Sequence, residues 1–285
     1  MTLDSRASEA LRRAALAGET SKFNIDQFDE FTLAGLLEAL ASAVAVCDEN
    51  PIADQFRLRA KDESSSAGEC WRVWNRPGPP SWGSDIHGTR TVEFYRLRTR
   101  DDQINPSYQL FRQRFVRSLR TCGFAEDFAY AVAGAFGEMT DNVIQHSRSQ
   151  PVGDFTGLAG YHATSGYFAF GVTDLGQGVL ASLAKSPNWG HLRTPSEALR
   201  EAVCANASCR PDQPYGEGFR TLFQSLVDRN GLLRFRSDDA LLTLGDGGMH
   251  RQGIEKSSPP LRGLQMSVCC SIFGTASERA IQKRS

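Results

Sequence analysis

Charge of one sign, a long apolar run and paired cysteines are all missing from this chain of 285 residues. Lys and Arg number 32 against 33 Asp and Glu, a net charge of −1. No long-range field therefore draws in nucleic acid or anionic lipid, and neither is expected as a partner. The longest apolar stretch, residues 33–46, is broken by Glu38 and is too short to span a bilayer. The first ten residues, MTLDSRASEA, hold no apolar leader core. The expected location is the cytoplasm. Seven cysteines, an odd number, are scattered without a C-x-x-C pair or a histidine at zinc-ligand spacing. They read as reduced, mostly buried thiols.

What is present is the composition of a soluble globular protein, with 40% apolar and 23% charged residues. Residues 5–18 and 29–47 read as helices. In the second, Phe31, Leu33, Leu36, Leu37, Leu40, Val44 and Val46 recur at near-helical spacing. Residues 61–88 turn to Ser, Gly, Pro and Trp, including Pro77-Gly78-Pro79-Pro80, which is loop or linker chemistry. A soft boundary near residue 88 then separates an N-terminal helical region, 1–88, from a domain over 89–275 and a tail over 276–285.

Beyond that boundary the pattern sharpens. Residues 91–97 read as a strand. Residues 107–122 form an amphipathic helix whose stripe is Tyr108, Phe111, Phe115, Leu119 and Cys122, with Gly123 at the helix C-cap. A longer helix covers 126–147. Strands follow over 156–163 and 167–173, the latter alternating Phe168, Phe170 and Val172. Residues 179–215 read as a mobile, lid-like excursion with two short helical patterns, broken by Pro187, Gly190, Pro195 and Pro211. A helix over 218–228 and strands over 232–237, 240–244 and 264–273 complete the reading. Blocks of strands and helices predict an α+β fold: a two-layer sandwich of one mixed β-sheet covered by helices, with a helical N-terminal extension.

Three fragments carry chemistry. On the long helix, Glu138 and Asn142 are four apart and share a face. The amide oxygen suits Mg²⁺, which prefers hard oxygen ligands. The carboxylate suits orienting or deprotonating a hydroxyl that attacks a γ-phosphate. Next, Asp174-Leu175-Gly176-Gln177-Gly178 ends an alternating strand and joins an acceptor to a backbone open to close approach. Finally, Gly216-Glu217-Gly218 precedes an apolar helix, where free backbone N–H groups can meet phosphate.

In this order, E-x-x-x-N, D-x-G-x-G, a helical lid and G-x-G resemble the N, G1 and G2 boxes of the GHKL (Bergerat-fold) ATPases. That superfamily includes gyrase, MutL, sensor histidine kinases and anti-sigma-factor serine kinases. The resemblance covers residues 90–273. It implies that Asp174 accepts a hydrogen bond from the adenine amino group. Gly176 and Gly178 let the lid hinge pass close to base and ribose. Asn142 holds Mg²⁺, Glu138 is the general base where catalysis is retained, and Gly216 and Gly218 bind the phosphates. His146, at a place where the family often has histidine, is read as packing. Two departures stand out. Gly263 is followed by Leu264 where many members carry a threonine that supports the aspartate, so that support is missing or comes from elsewhere, with Thr173 a candidate. The last box also lacks the longer glycine series, continuing Phe219-Arg220-Thr221-Leu222.

A sensor kinase needs a phospho-accepting histidine ahead of the ATP domain. Only His87 precedes residue 90, in a loop setting, and His191-Leu192-Arg193-Thr194-Pro195 lacks the acid after histidine and lies inside the lid. The resemblance therefore points to a stand-alone module similar to the bacterial anti-sigma serine kinases. ATP or ADP with Mg²⁺ would be its ligand, and a protein partner its target. A homodimer is one open arrangement. Two outcomes stay open: kinase or ATPase turnover, and nucleotide-dependent binding without turnover.

Overall fold

The structure is a computed structural model that describes residues 2–17, 30–49, 81–86, 90–97, 104–146, 157–204, 231–245 and 253–272. A short parallel pair, β1 (Thr2–Leu3) and β2 (Glu30–Phe31), brackets helix α1 (Ser5–Leu16) and leads into α2 (Leu33–Glu49). Next come β3 (Ser81–Ile86), β4 (Arg90–Leu97), α3 (Pro106–Thr121) and α4 (Glu126–His146). The hairpin β5 (Gly157–Thr164) and β6 (Tyr167–Asp174) follows, then α5 (Gly178–Leu183), a 3₁₀ turn (Pro187–Trp189) and α6 (Pro195–Cys204). Two long strands, β7 (Leu232–Gly245) and β8 (Gly253–Ser271), close the described chain.

Six strands form one sheet in the order β3-β4-β5-β6-β8-β7. The fold is α+β, but the expected mixed sheet is antiparallel in all five of its pairings. A short turn joins β5 to β6 and only three residues separate β3 from β4 in sequence, and connections that short permit only antiparallel neighbours. Strand β3 also lies inside the stretch that composition assigned to a linker. Backbone pairing with β4, from Ser81 opposite Tyr95 to Ile86 opposite Arg90, outweighs its weak strand propensity.

Helix α3 begins where Asn105 caps it, its side chain accepting from the Ser107 N–H at 2.9 Å, with Pro106 at the first turn. It ends at Cys122, and Gly123 follows with φ +97°. The stripe named from the sequence faces the sheet. Phe115 stacks on Phe136 of α4 at 4.4 Å and meets Tyr161, Phe168 and Phe170 edge-on. Each such aromatic pair adds about 0.5–1.5 kcal/mol beyond its buried area. Under α3, buried Glu93 accepts from Tyr161 Oη at 2.5 Å and from Arg114 Nε at 2.8 Å.

The opposite face of the sheet is covered as well. Phe168, Phe170 and Val172 point to α3 and α4, while Ala169, Gly171 and Thr173 point the other way. Helix α2 packs there: a Cβ added to Gly171 would come within 3.0 Å of Leu37 Cδ1, and Phe31 lies 5.4 Å from the His162 ring. The two-layer expectation thus becomes three layers, because the N-terminal helices cover the sheet's second face. Every residue of β6 except Tyr167 is buried. The alternation of Phe168, Phe170 and Val172 is one of large residues on one face with small ones on the other.

Glu38 sits in that second interface. The acid that interrupts the apolar run is buried, accepting from Arg234 Nε and Arg236 Nη1, both at 2.8 Å. Arg236 also reaches Glu9 of α1 at 3.4 Å. Among the described residues, no helix is long and apolar enough to cross a membrane.

Candidate functional site

Asp174 is the last residue of β6 and is buried. Its Oδ1 accepts from the Gly176 N–H at 2.7 Å, an Asx-type turn that the D-x-G sequence closes on itself. The Leu264 N–H donates to the same carboxylate. Support for the aspartate therefore comes from backbone on the neighbouring strand, not from Thr173. Thr173 lies one position earlier on the opposite face, and its Oγ1 has no hydrogen-bond partner among the described residues. Burial lifts the Asp174 carboxyl to about 7, against the two amide donors and Arg262, which favour the ionised form.

Gly263 explains how Leu264 comes so close. Its φ is +87°, and an added Cβ would fall 2.7 Å from the Asp174 carbonyl carbon and 2.8 Å from Oδ1. No side chain fits that space or readily adopts that backbone. Gln265 completes the turn, its Nε2 donating to the carbonyls of Asp174 at 3.0 Å and Arg262 at 3.1 Å.

The second glycine of the motif is also committed by contact. Gly178 has φ +75°, and a Cβ there would sit 2.8 Å from Asp238 Oδ2 and 3.0 Å from Ser237 Oγ. The Val179 N–H donates to Ser237 Oγ at 3.0 Å. Asp238 itself has φ +51°, at an irregularity in the β7–β8 register. Strand β7 runs through that irregularity as one strand where two were expected. Arg262 Nε donates to the Gly176 carbonyl at 3.2 Å.

Helix α4 brings Glu138 and Asn142 to this end of the sheet. Both are half-buried, with Met139, Thr140, Val143 and Ile144 forming the buried side. Val143, next to Asn142, fills the space beside Gly157, the residue that pairs with Asp174 across β5 and β6. A Cβ on Gly157 would lie 3.7 Å from the Asp174 Cβ. The last turn of α4 thus meets the end of β6 through Val143 and Gly157. Gly216 and Gly218 lie outside the described residues, as do the helix expected over 218–228 and the side chain of His146. Among the described residues, no group of three or more His, Cys, Asp or Glu side chains could hold a metal ion.

The chain matches no protein-family model, no curated protein and no solved structure.

The described part of the excursion expected as a lid is packed. Leu183, Leu192 and Ala198 form a small core of their own, and Leu199 and Val203 of α6 join the main core against β7. His191 is exposed near Trp189, and the turn before α6 is tied by Glu197 to the N–H groups of Arg193 and Thr194. Limited proteolysis of the protein alone should therefore spare residues 178–204. Early cleavage inside α6, read by mass spectrometry, would contradict this packing.

Sequence reasoning did not find Ser237, Asp238, Arg262 or Gln265. Gly263 was visible as the residue preceding the departure at Leu264. Its necessity rests on a contact with a strand some ninety residues earlier.

Proposed function

We propose that this chain is a GHKL-type, Bergerat-fold regulatory module that binds Mg-ATP and acts on a protein partner. The observation that carries the reading is the buried Asp174 carboxylate at the end of β6, beside the helix that bears Glu138 and Asn142. A carboxylate has about four acceptor positions, and backbone N–H groups use two of them here. What remains suits a ligand edge that donates, such as the amino group of adenine, and disfavours one that only accepts.

The donor set is compatible with magnesium of the kind that accompanies nucleotides. Such Mg²⁺ is held by one or two protein oxygens, with phosphate and water completing the octahedron. Asn142 would be the protein oxygen, and the ion would neutralise charge on the phosphates. Glu138, one turn earlier, would orient or deprotonate the hydroxyl that attacks the γ-phosphorus, a serine or threonine of the partner or a water. Gly176, Gly178, Gly216 and Gly218 would let backbone approach the nucleotide. The alternative without turnover is favoured by one sequence feature, the shortened glycine series before Phe219.

Paired measurements separate the roles. Asn142→Ala should weaken Mg-ATP binding itself, as read by calorimetry. Glu138→Ala should leave affinity nearly intact and lower phosphate release or partner phosphorylation by about 10²–10⁴-fold, the usual contribution of a general base. Equal loss of affinity in both variants would make Glu138 structural. Absence of turnover in wild type with its partner present would leave nucleotide-gated binding as the function.

A further inference from the structure

Helix α3 carries four arginines, at 112, 114, 117 and 120, and no acidic residue. Arg114 is directed inward to Glu93. The other three line an open groove of about 840 Å³ between α3 and α4, on the side away from the sheet. Its α3 wall also includes Gln109, Gln113 and Val116, so lining positions recur in steps of three and four. On a helix that spacing makes one continuous seam, here roughly 17 Å long from 109 to 120 at the helical rise. The α4 wall is low: Tyr130 is 58% exposed, and beyond it come Ala133 and Gly134. A Cβ on Gly134 would meet nothing within 4 Å.

We propose that this groove docks an acidic helical segment of a partner protein. A seam with helical repeat, between two packed helices with small residues on its floor, lets a third helix approach closely. Charge selects which helix. Arg120 meets exposed Glu126 at 3.5 Å, a weak pair, and Arg112 is near enough to half-buried Asp141 of α4 to favour its ionised form. Carboxylates at three- and four-residue steps would meet Arg112, Arg117 and Arg120 in turn, with apolar positions on Val116 and the Tyr130 ring. A continuous polyanion fits less well: the chain as a whole carries −1, and Glu126 pairs with Arg120 at one end of the groove.

The location ties docking to the site described above. Arg112 Nη2 lies 3.4 Å from where a Gly137 Cβ would be, immediately before Glu138. A segment in the groove therefore ends one turn from the Glu138–Asn142 face. The inference extends the partner half of the proposed function, but docking itself requires no nucleotide.

The probe is a labelled helical peptide of about sixteen residues, with Glu at three- and four-residue steps and Leu between them. Its Gln-for-Glu counterpart and a single-stranded DNA of similar length serve as comparisons. Titrated into the full chain without nucleotide, the Glu peptide should bind, weaken as salt rises, and shift amide resonances along 109–134. Arg117→Glu/Arg120→Glu should lower affinity at least tenfold, the effect expected for reversing exposed charges in a complementary interface. Gly134→Leu tests the groove by filling it: the position is open and leucine favours helix, so folding is preserved while binding falls. The proposal is overturned if the Glu peptide fails to bind, if the Gln peptide or the DNA binds as tightly, or if both variants bind like wild type. Loss of ATP binding with peptide binding retained would remove the nucleotide reading and leave the docking site standing.

Discussion

Asp174→Asn should stabilise the nucleotide-free protein at neutral pH while weakening ATP binding. Burial raises this carboxyl from 3.8 to about 7. The folded state then holds a proton that the unfolded state has released between pH 4 and 7, so stability falls as pH climbs through that window and levels off above it. A shift of this size corresponds to on the order of 4 kcal/mol at and above neutral pH. Asparagine keeps an oxygen for the Gly176 and Leu264 N–H groups and removes the charge, so thermal unfolding should show a flatter pH profile and a gain of roughly 2 kcal/mol. ATP affinity should move the other way. An amide nitrogen facing the adenine amino group leaves a donor unpaired, at about 1–3 kcal/mol.

The same group makes binding pH-dependent. If adenine requires the ionised form, affinity in wild type should fall about tenfold per unit below pH 7, with a proton released on binding. Calorimetry in buffers of different ionisation enthalpy reads that proton directly. ATP affinity equal in wild type and Asp174→Asn would sink the assignment of this residue to the base. An unchanged pH profile of stability would show that Asp174 is not the group that titrates.

Glu38→Ala should be among the most destabilising single changes in the chain. It leaves Arg234 and Arg236 without the carboxylate that bonds both, and Arg236 is 1% exposed. Breaking a buried pair from one side costs about 3–5 kcal/mol, because the remaining charge stays desolvated. At about 2–4 °C per kcal/mol for a domain of this size, the melting temperature should drop by roughly 10 °C. Replacing the cluster together, Glu38→Met with Arg234→Met and Arg236→Met, should recover most of the loss, since an apolar replacement removes both charge signs. A loss under about 1 kcal/mol in Glu38→Ala would mean that water, not the two arginines, compensates the carboxylate.

Much of the fold was legible because its elements are long and strongly periodic. The aromatic stripe of α3, the length of α4 and the β5–β6 hairpin agree with their sequence patterns to within about two residues, the usual uncertainty at element ends. Pairing partners were less legible. Nothing in Ser81–Ile86 or in the Pro-containing start of β8 announces a strand, since both depend on a neighbour already in position. The site divides in the same way. Asp174, Gly178 and the Glu138–Asn142 step follow from local spacing, whereas Ser237, Asp238 and Arg262 reach the site only through sheet order.

The sequence by itself determined which residues form helices α3 and α4 and which strand ends in Asp174, and its local spacing alone supplies the nucleotide-site proposal. These are local matters, governed by periods of two and 3.6 residues and by chemistry within one turn. Tertiary structure alone decided that the N-terminal helices cover the sheet's second face, that Glu38 is a buried ionic clasp, and that Leu264 rather than Thr173 supports Asp174. Each of these depends on contacts between residues far apart in the chain. A charge within an apolar run, or a glycine before a leucine, has the same local appearance whether its partner waits across the core or not.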